Sequence, residues 1–209
     1  MLKVKFLILL LCGTVVAQQT TLTSLGPNGG IISLLKGSPD DAVVFAVVRE
    51  NGLYRSVDGG ENWSKIFAPN FNLQSVTIYD IAFHPQTSKT ILMATSIGLF
   101  NSVDQGLTWT PPSLQSLSPK LSVAYTPANP KVVFGSDEYG VLRSNDGGKT
   151  WFPLKDNIYF GNRPIYKIAV HPSDSINIRV LASTGFSDTV GIFFTPNGGQ
   201  TWKPFSKGL

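Results

Sequence analysis

The sequence predicts an all-β protein made of four similar antiparallel sheets, and three observations lead to that prediction. The first is composition: the 209 residues include 20 glycines and 14 prolines, and 14% of the residues are charged. Such a composition favours short strands and turns over long helices. The second is a short block that recurs four times and contains all four tryptophans. The third is a series of short apolar runs that accompany each block in the same order.

The recurring block has the pattern Ser/Thr-x-Asp/Asn-x-Gly-x-x-Trp. It occupies residues 56–63, 102–109, 144–151 and 195–202, and its acidic or amide positions are 46, 42 and 51 residues apart. A fixed period of this length is typical of repeat architectures. The shared positions are Ser56, Asp58, Gly60 and Trp63; Ser102, Asp104, Gly106 and Trp109; Ser144, Asp146, Gly148 and Trp151; and Thr195, Asn197, Gly199 and Trp202.

Each block closes a unit of four short runs, here named a to d. The runs are rich in β-branched and aromatic residues and are bounded by Pro, Gly, Asn or Asp, which is typical of strands and tight turns. Run a ends at a proline in each copy, run b is apolar, run c begins with glycine, and run d carries the tryptophan. Four antiparallel strands at a period of 40–50 residues indicate a β-propeller blade. We expect strand a to be buried on both faces. The runs before strand d lie at 31–39, 43–48 and 52–56; 80–85, 90–95 and 98–102; 122–127, 131–135 and 140–144; and 167–172, 179–183 and 191–195.

The block resembles the Asp-box, also called the bacterial neuraminidase repeat, over roughly residues 20–209. Proteins with this box include sialidases, xyloglucan-cleaving glycosidases, sortilin-type receptors and a plastid photosystem II assembly factor. The resemblance implies the propeller fold. It does not imply a particular activity, because one fold carries many functions.

The box residues suit a turn between strands c and d. A short carboxylate or amide at Asp58, Asp104, Asp146 or Asn197 can accept hydrogen bonds from the N–H groups of its own turn. The box glycines can adopt the positive φ that such a turn requires, and the indoles can pack between elements. Catalysis or calcium binding by these aspartates is the alternative interpretation.

Antiparallel order places the a–b and c–d turns on one face of the ring and the b–c and d–a loops on the other. The resemblance implies that substrate or partner binds this second face. Its aromatic candidates for ligand binding are Tyr139, Tyr159, Phe160 and Phe186. A glycosidase needs two carboxylates about 5–10 Å apart, and the acids that we would test are Glu50, Asp137, Glu138 and Asp188. Nothing in the sequence pairs these acids, so no catalytic residue is assigned.

Three functions remain open at this point. The first is a binding or scaffold module for a glycan or a protein, without catalysis. The second is the N-terminal part of a secreted glycoside hydrolase, either sialidase-like or xyloglucanase-like. The third is a receptor-like or assembly-factor propeller that binds one protein partner.

No cofactor or metal site is predicted. The two histidines, His84 and His171, precede prolines at the end of strand a, in register with Thr126, and this register favours a role in the turn.

The N-terminus predicts a secretory signal peptide over residues 1–17. Lys3 and Lys5 precede an apolar run, and Val15-Val16-Ala17 ends in the small residue that a signal peptidase cuts after. The run is too short to span a membrane. Removal of residues 1–17 lowers the formal charge of the chain from +4 to +2. No run of basic residues remains, so nucleic acid is not a predicted partner. Residues 18–209 are predicted to form a propeller that is truncated at its C-terminus and incomplete as a ring.

Overall fold

Four antiparallel sheets form the structure, a computed structural model that describes residues 27, 30–66, 76–110, 119–154, 164–183 and 190–205. We name the sheets blades 1 to 4 in chain order. Blade 1 contains β1 (Ile32–Gly37), β2 (Val44–Val48), β3 (Gly52–Ser56) and β4 (Ser64–Lys65). Blade 2 contains β5 (Ile78–Phe83), β6 (Ile91–Thr95) and β7 (Gly98–Ser102). Blade 3 contains β8 (Ser122–Tyr125), β9 (Val133–Asp137), β10 (Gly140–Ser144) and β11 (Phe152–Pro153). Blade 4 contains β12 (Ile165–His171), β13 (Asp174–Ser183), β14 (Val190–Thr195) and β15 (Lys203–Pro204).

Within each blade the strands pair in chain order, so the predicted a-to-d arrangement is confirmed. Strand d is short, with two residues in blades 1, 3 and 4. In blade 2 an isolated bridge between Asn101 and Thr110 takes the place of strand d. In the described ranges no helix is both long and apolar enough to cross a membrane.

Strand b, rather than strand a, is the most buried strand of the blades. All five residues of β6 and all five of β9 are buried. By contrast, β1 exposes Leu35 to 60% and Ile32 to 45%. The expectation that strand a is buried on both faces was therefore wrong for blade 1, and also for blade 4, where β12 exposes Tyr166 to 47%. Strand b has a paired strand on each edge and a neighbouring sheet on its face, whereas strand a has a pairing partner on one edge.

Apolar side chains between successive blades hold the sheets together. Phe45 and Leu53 of blade 1 pack with Ile91 and Phe100 of blade 2. Leu92 of blade 2 packs with blade 3, and the same kind of cluster joins blades 3 and 4. The innermost strands lie side by side in the order β1, β5, β8, β12. Each blade thus supplies one wall of its neighbour's core, as a stacked repeat architecture requires.

A glycine of each of the last three boxes lies directly on the preceding blade. A Cβ at Gly148 would lie 2.8 Å from Leu92 Cδ1 of blade 2. A Cβ at Gly106 would overlap Phe45 of blade 1, and one at Gly199 would overlap Leu154 of blade 3. Because these glycines also have positive φ, two independent constraints exclude a side chain there.

We expect Gly106→Ala to destabilise the protein more than Gly60→Ala. Both glycines have positive φ, so both changes carry a similar backbone penalty. Only Gly106 meets a neighbouring blade, since the closest described contact of a Cβ at Gly60 is its own Trp63 at 3.5 Å. The overlap with Phe45 adds about 1–3 kcal/mol of overpacking. Urea denaturation of the two variants measures the difference, and equal losses of stability would contradict the role of Gly106 between blades.

Candidate functional site

The Asp-box of blade 1 is a turn closed by its own side chains. Ser56 Oγ donates to Asp58 Oδ1 at 2.7 Å and accepts from the Gly60 N–H at 2.8 Å. Asp58 Oδ1 also accepts from the Asn62 N–H at 2.9 Å. The Trp63 indole N–H donates to the Gly60 carbonyl at 2.8 Å. Each conserved position of the pattern therefore satisfies a polar group of the turn itself.

The hydrogen bonds of the hydroxyl, the glycine N–H and the acidic or amide side chain recur in the other three boxes, and the indole bond to the glycine carbonyl recurs in boxes 2 and 3. In box 2 and box 3 the hydroxyl bonds to the aspartate, and the glycine N–H donates to that hydroxyl. In box 4, Thr195 Oγ1 donates to Asn197 Oδ1 at 2.8 Å, and Asn197 Oδ1 accepts from the Thr201 N–H at 2.9 Å. An amide oxygen thus replaces the carboxylate without loss of these contacts. In the described ranges no cluster of three metal-ligating side chains occurs.

The box tryptophans lie against neighbouring strands. A Cβ at Gly135 of β9 would meet the Trp151 ring at 3.1 Å, so the indole covers the middle of strand b of its own blade. The Trp109 ring lies 6.2 Å from Phe45 of blade 1 in an edge-on arrangement. These contacts half-bury Trp109 and Trp151 against the sheets, which removes part of their large apolar area from water.

Hydrogen bonding lowers the pKa of the box carboxyls. The Asn62 N–H, followed by the Ser56 hydroxyl, lowers the pKa of Asp58 from its ordinary 3.8 to about 2. The Thr150 hydroxyl and N–H lower the pKa of Asp146 further. Burial raises the pKa of Asp104, but hydrogen bonds from Thr108 and Ser102 outweigh burial and lower it. The ionised form is therefore the one that the folded turns hold.

Both histidines bond to their own a–b turns. His84 Nδ1 accepts from the Gln86 N–H at 3.3 Å, and His171 Nδ1 accepts from the Ser173 N–H at 3.3 Å. The equivalent Thr126 donates to the carbonyls of Asn129 and Val132. Different side chains at one position of the repeat thus close the same turn.

The opposite face, that of the b–c turns, contains a cavity of about 550 Å³ between blades 1 and 2. Ser33, Tyr79, Arg49 and Glu50 are among the residues that line it. Strands β1 and β5 each have a bulge here, between Ile32 and Leu34 and between Ile78 and Asp80. Ser33 and Tyr79 are the extra residues of these bulges. A bulge re-aims a side chain out of the regular pleat, and Tyr79 is 41% exposed.

Glu50 is exposed in the b–c turn at the edge of this cavity and has a φ of 61°. A non-glycine residue in the left-handed region costs about 1 kcal/mol or more, and such residues cluster at binding sites. Of the three proposed acids that the structure describes, Glu50 is the one that lines this cavity.

Asp137 and Glu138 lie in the b–c turn of blade 3 and have different surroundings. Asp137 is buried, lies 3.6 Å from Lys120 Nζ, and accepts the N–H groups of Tyr139 and Gly140. Glu138 is exposed, and its hydrogen bond and negative charge raise the pKa of Tyr139. Asp137 therefore closes a turn and pairs with a lysine, while Tyr139, 55% exposed, remains accessible on this face.

The remaining candidates, Asp188, Tyr159, Phe160 and Phe186, lie outside the described residues. Sequence reasoning missed Tyr79 and Lys120. Tyr79 could have been noticed because Tyr166, 47% exposed, stands at the same bulge of β12, one residue before the aligned positions Asp80 and Lys167. Lys120 gave no signal, since its partner Asp137 is far away in the sequence and the pairing depends on the fold.

We expect the box carboxylates to contribute to stability in a pH-dependent way. Their folded-state pKa is lowered, so the unfolded chain takes up protons first as the pH falls; the contribution is complete above about pH 4 and is lost toward about pH 2. The triple variant Asp58→Asn, Asp104→Asn, Asp146→Asn imitates box 4, and its melting temperature should fall less over this range. Glu61→Gln removes an exposed charge from the same turn and should keep the wild-type slope. An unchanged slope in the triple variant would refute the assignment.

Comparison with known proteins supports the repeat and the fold. The BNR/Asp-box repeat model matches residues 54–65, and no curated protein matches the chain. A solved ancestral GH74 enzyme is 21% identical with a TM-score of 0.64, over 83% of this chain and 24% of that one. The GH74 xyloglucanase from Xanthomonas campestris is 16% identical with a TM-score of 0.66, over 87% and 31%. YCF48 bound to D1 peptide is 16% identical with a TM-score of 0.60, over 82% and 54%.

The chain spans about a quarter to a third of these GH74 enzymes and about half of YCF48. At these identities the likeness concerns the fold, and activity does not transfer with it. The matched model and the four-fold recurrence of the box geometry agree with that fold. The chain has the β-propeller fold, and one of its repeats matches the BNR/Asp-box model.

Proposed function

We propose that this propeller is a secreted binding module that takes a glycan or a peptide segment on the face made by the b–c turns and d–a loops. The observation that carries the proposal is the half-exposed Tyr79, aimed by a bulge into a cavity of about 550 Å³ beside Arg49 and Glu50. An aromatic ring next to one cation and one anion suits a ligand with both apolar and polar parts.

Binding is favoured over catalysis by the surroundings of the described acids. Asp137 is committed to Lys120 and to two N–H groups. Glu50 lies in blade 1 and Glu138 in blade 3, with blade 2 between them. This placement does not suit two carboxylates that flank one glycosidic bond at about 5–10 Å.

A second candidate is part of a glycoside hydrolase. It is favoured by the likeness to GH74 enzymes, one of them a xyloglucanase, and by the exposed carboxylate of Glu50 at the cavity. On this view the chain contributes part of a substrate cleft. A peptide-binding role has its own support in the likeness to YCF48, whose structure was solved with a D1 peptide.

We expect Tyr79→Ala to weaken ligand binding at least tenfold, because truncation of an aromatic residue at the centre of a binding site costs about 2 kcal/mol or more of binding free energy. The melting temperature should stay nearly unchanged, because the ring is 41% exposed. Glycan and peptide arrays identify the ligand, and titration calorimetry measures the loss. Phe152→Ala is the matched control, since Phe152 is 40% exposed but lies on strand d, away from this face.

Three results would redirect the proposal. Equal losses in Tyr79→Ala and Phe152→Ala would exclude this cavity as the binding site. Release of reducing sugar from xyloglucan that disappears in Glu50→Gln would establish the hydrolase instead. Absence of any ligand on both arrays would refute the binding module.

We also propose that residues 1–17 direct the chain to the secretory pathway or the cell surface. Cleavage after Ala17 should leave Gln18 as the first residue of the exported protein, which N-terminal sequencing or intact-mass measurement detects. Ala17→Arg should block the cut, because a signal peptidase requires a small residue there. Export with an intact N-terminus would refute the signal peptide.

A further inference from the structure

One position of the repeat builds a charged cluster at the centre of the blade stack. The position is defined by its pairing with strand b: Leu34 pairs with Val47, Asp80 with Ala94, Ser122 with Ser136, and Lys167 with Leu181. These pairs stand at the same level of the four blades. Blade 2 thus places a carboxylate, blade 3 a hydroxyl and blade 4 an ammonium group at one level of the innermost strands.

The Asp80 carboxylate is buried and well supplied with donors. Its side chain is 2% exposed. Ser122 Oγ donates to Oδ2 at 2.8 Å and the Val123 N–H donates to the same oxygen at 3.2 Å, while the Ile81 N–H donates to Oδ1 at 3.1 Å. Hydrogen bonds from blades 2 and 3 therefore support the negative charge before any lysine is counted.

Two lysines from the outer blades approach this single carboxylate. Lys167 Nζ of blade 4 lies 2.7 Å from Oδ2, and Lys36 Nζ of blade 1 lies 4.0 Å from Oδ1. Their side chains are 46% and 39% exposed. The Lys36 distance is too long for a hydrogen bond. One carboxylate thus faces two ammonium groups, and a single ammonium group is enough to neutralise its charge.

Both lysines and Asp80 line a cavity of about 280 Å³ among the innermost strands. Gly37, Pro39, Phe83 and Tyr125 also line it, and they stand at or just beyond the ends of β1, β5 and β8. The cavity therefore runs along the innermost strands, from the level of Asp80, which directly follows the bulge residue Tyr79, to the ends of these strands at the a–b turns. The charged groups among its lining residues sum to one net positive charge.

We propose that this cavity is a binding site for an oxyanion, a phosphate or carboxylate group held between Lys36 and Lys167. Each ammonium group has three donors, and an oxyanion offers the several acceptor oxygens that two such groups can share. Asp80 competes with the ligand for the ammonium groups, because it is itself an anion. Removal of this competitor predicts an effect whose sign differs from that of damage to the fold.

The test is titration calorimetry with inorganic phosphate at constant ionic strength. Lys36→Gln combined with Lys167→Gln should weaken phosphate binding at least tenfold. Lys89→Gln combined with Lys131→Gln is the matched control: both lysines are exposed beside a–b turns on the same face and outside the cavity lining, so the charge change is the same. The control pair should retain the wild-type affinity.

The variant Asp80→Asn tests whether phosphate affinity rises or falls when the competing carboxylate is removed. Removing the competing carboxylate should tighten phosphate binding about tenfold, as expected for a unit charge a few ångströms from the ligand at a partly exposed site. A variant that merely misfolds would lose binding instead, and circular dichroism checks the fold independently. Titration with acetate shows which oxyanion the site takes. Tighter binding of phosphate indicates that the natural ligand carries a phosphoryl group, and tighter binding of acetate indicates a carboxylate.

Three outcomes would overturn the proposal: no saturable binding of either anion by the wild-type protein, equal losses in the two lysine pairs, or weaker binding by a folded Asp80→Asn protein. The lining of this cavity shares no residue with the lining of the Tyr79 cavity, so failure here leaves the proposed ligand site untouched. Failure of Tyr79→Ala to affect its ligand likewise leaves the oxyanion site untouched.

Discussion

Close packing of one blade on the next is the constraint on which the rest of this structure depends. A four-stranded sheet cannot bury both of its faces alone, so each blade needs a neighbour. The box glycine makes the closest approach, with Gly106 on Phe45 and Gly148 on Leu92. The hydroxyl and carboxylate of the box hold the turn at positive φ, as they also do at Gly60, which meets no other blade. This turn leaves the glycine free of a side chain where the next blade must approach.

The repeating parts of the fold could be predicted because their determinants are local. Ser56, Asp58, Gly60 and Trp63 satisfy one another within eight residues, so a sequence pattern is enough to locate the turn. The same holds for the substitution at Asn197, whose oxygen makes the bonds of the aspartate. The number of strands in a blade follows from the spacing between such turns.

The parts that escaped prediction depend on contacts between blades. Strand b is more buried than strand a because it has more neighbouring strands. Amino-acid composition does not reveal how many neighbours a strand has. The bulge that aims Tyr79 outward is an irregularity of pairing, and the ion pairs of Asp80 with Lys167 and of Asp137 with Lys120 join side chains that meet through the fold. The alignment of the four repeats did place Asp80, Ser122 and Lys167 at the same position of strand a. The alignment does not give the distances between their side chains.

The two ends of the strands therefore have different freedom to vary. At the Asp-box end, the polar side chains of each turn form hydrogen bonds within that turn, and the four copies have nearly the same polar contacts. At the other end the described b–c turns differ in length and charge, as Arg49-Glu50-Asn51 and Ser96-Ile97 show. The equivalent position on the innermost strands varies as well: it is occupied by Leu34, Asp80, Ser122 and Lys167 in blades 1 to 4. Since the box turns and the apolar clusters already fix the positions of the blades, such positions can change without altering the fold, and this is why binding sites are to be sought there.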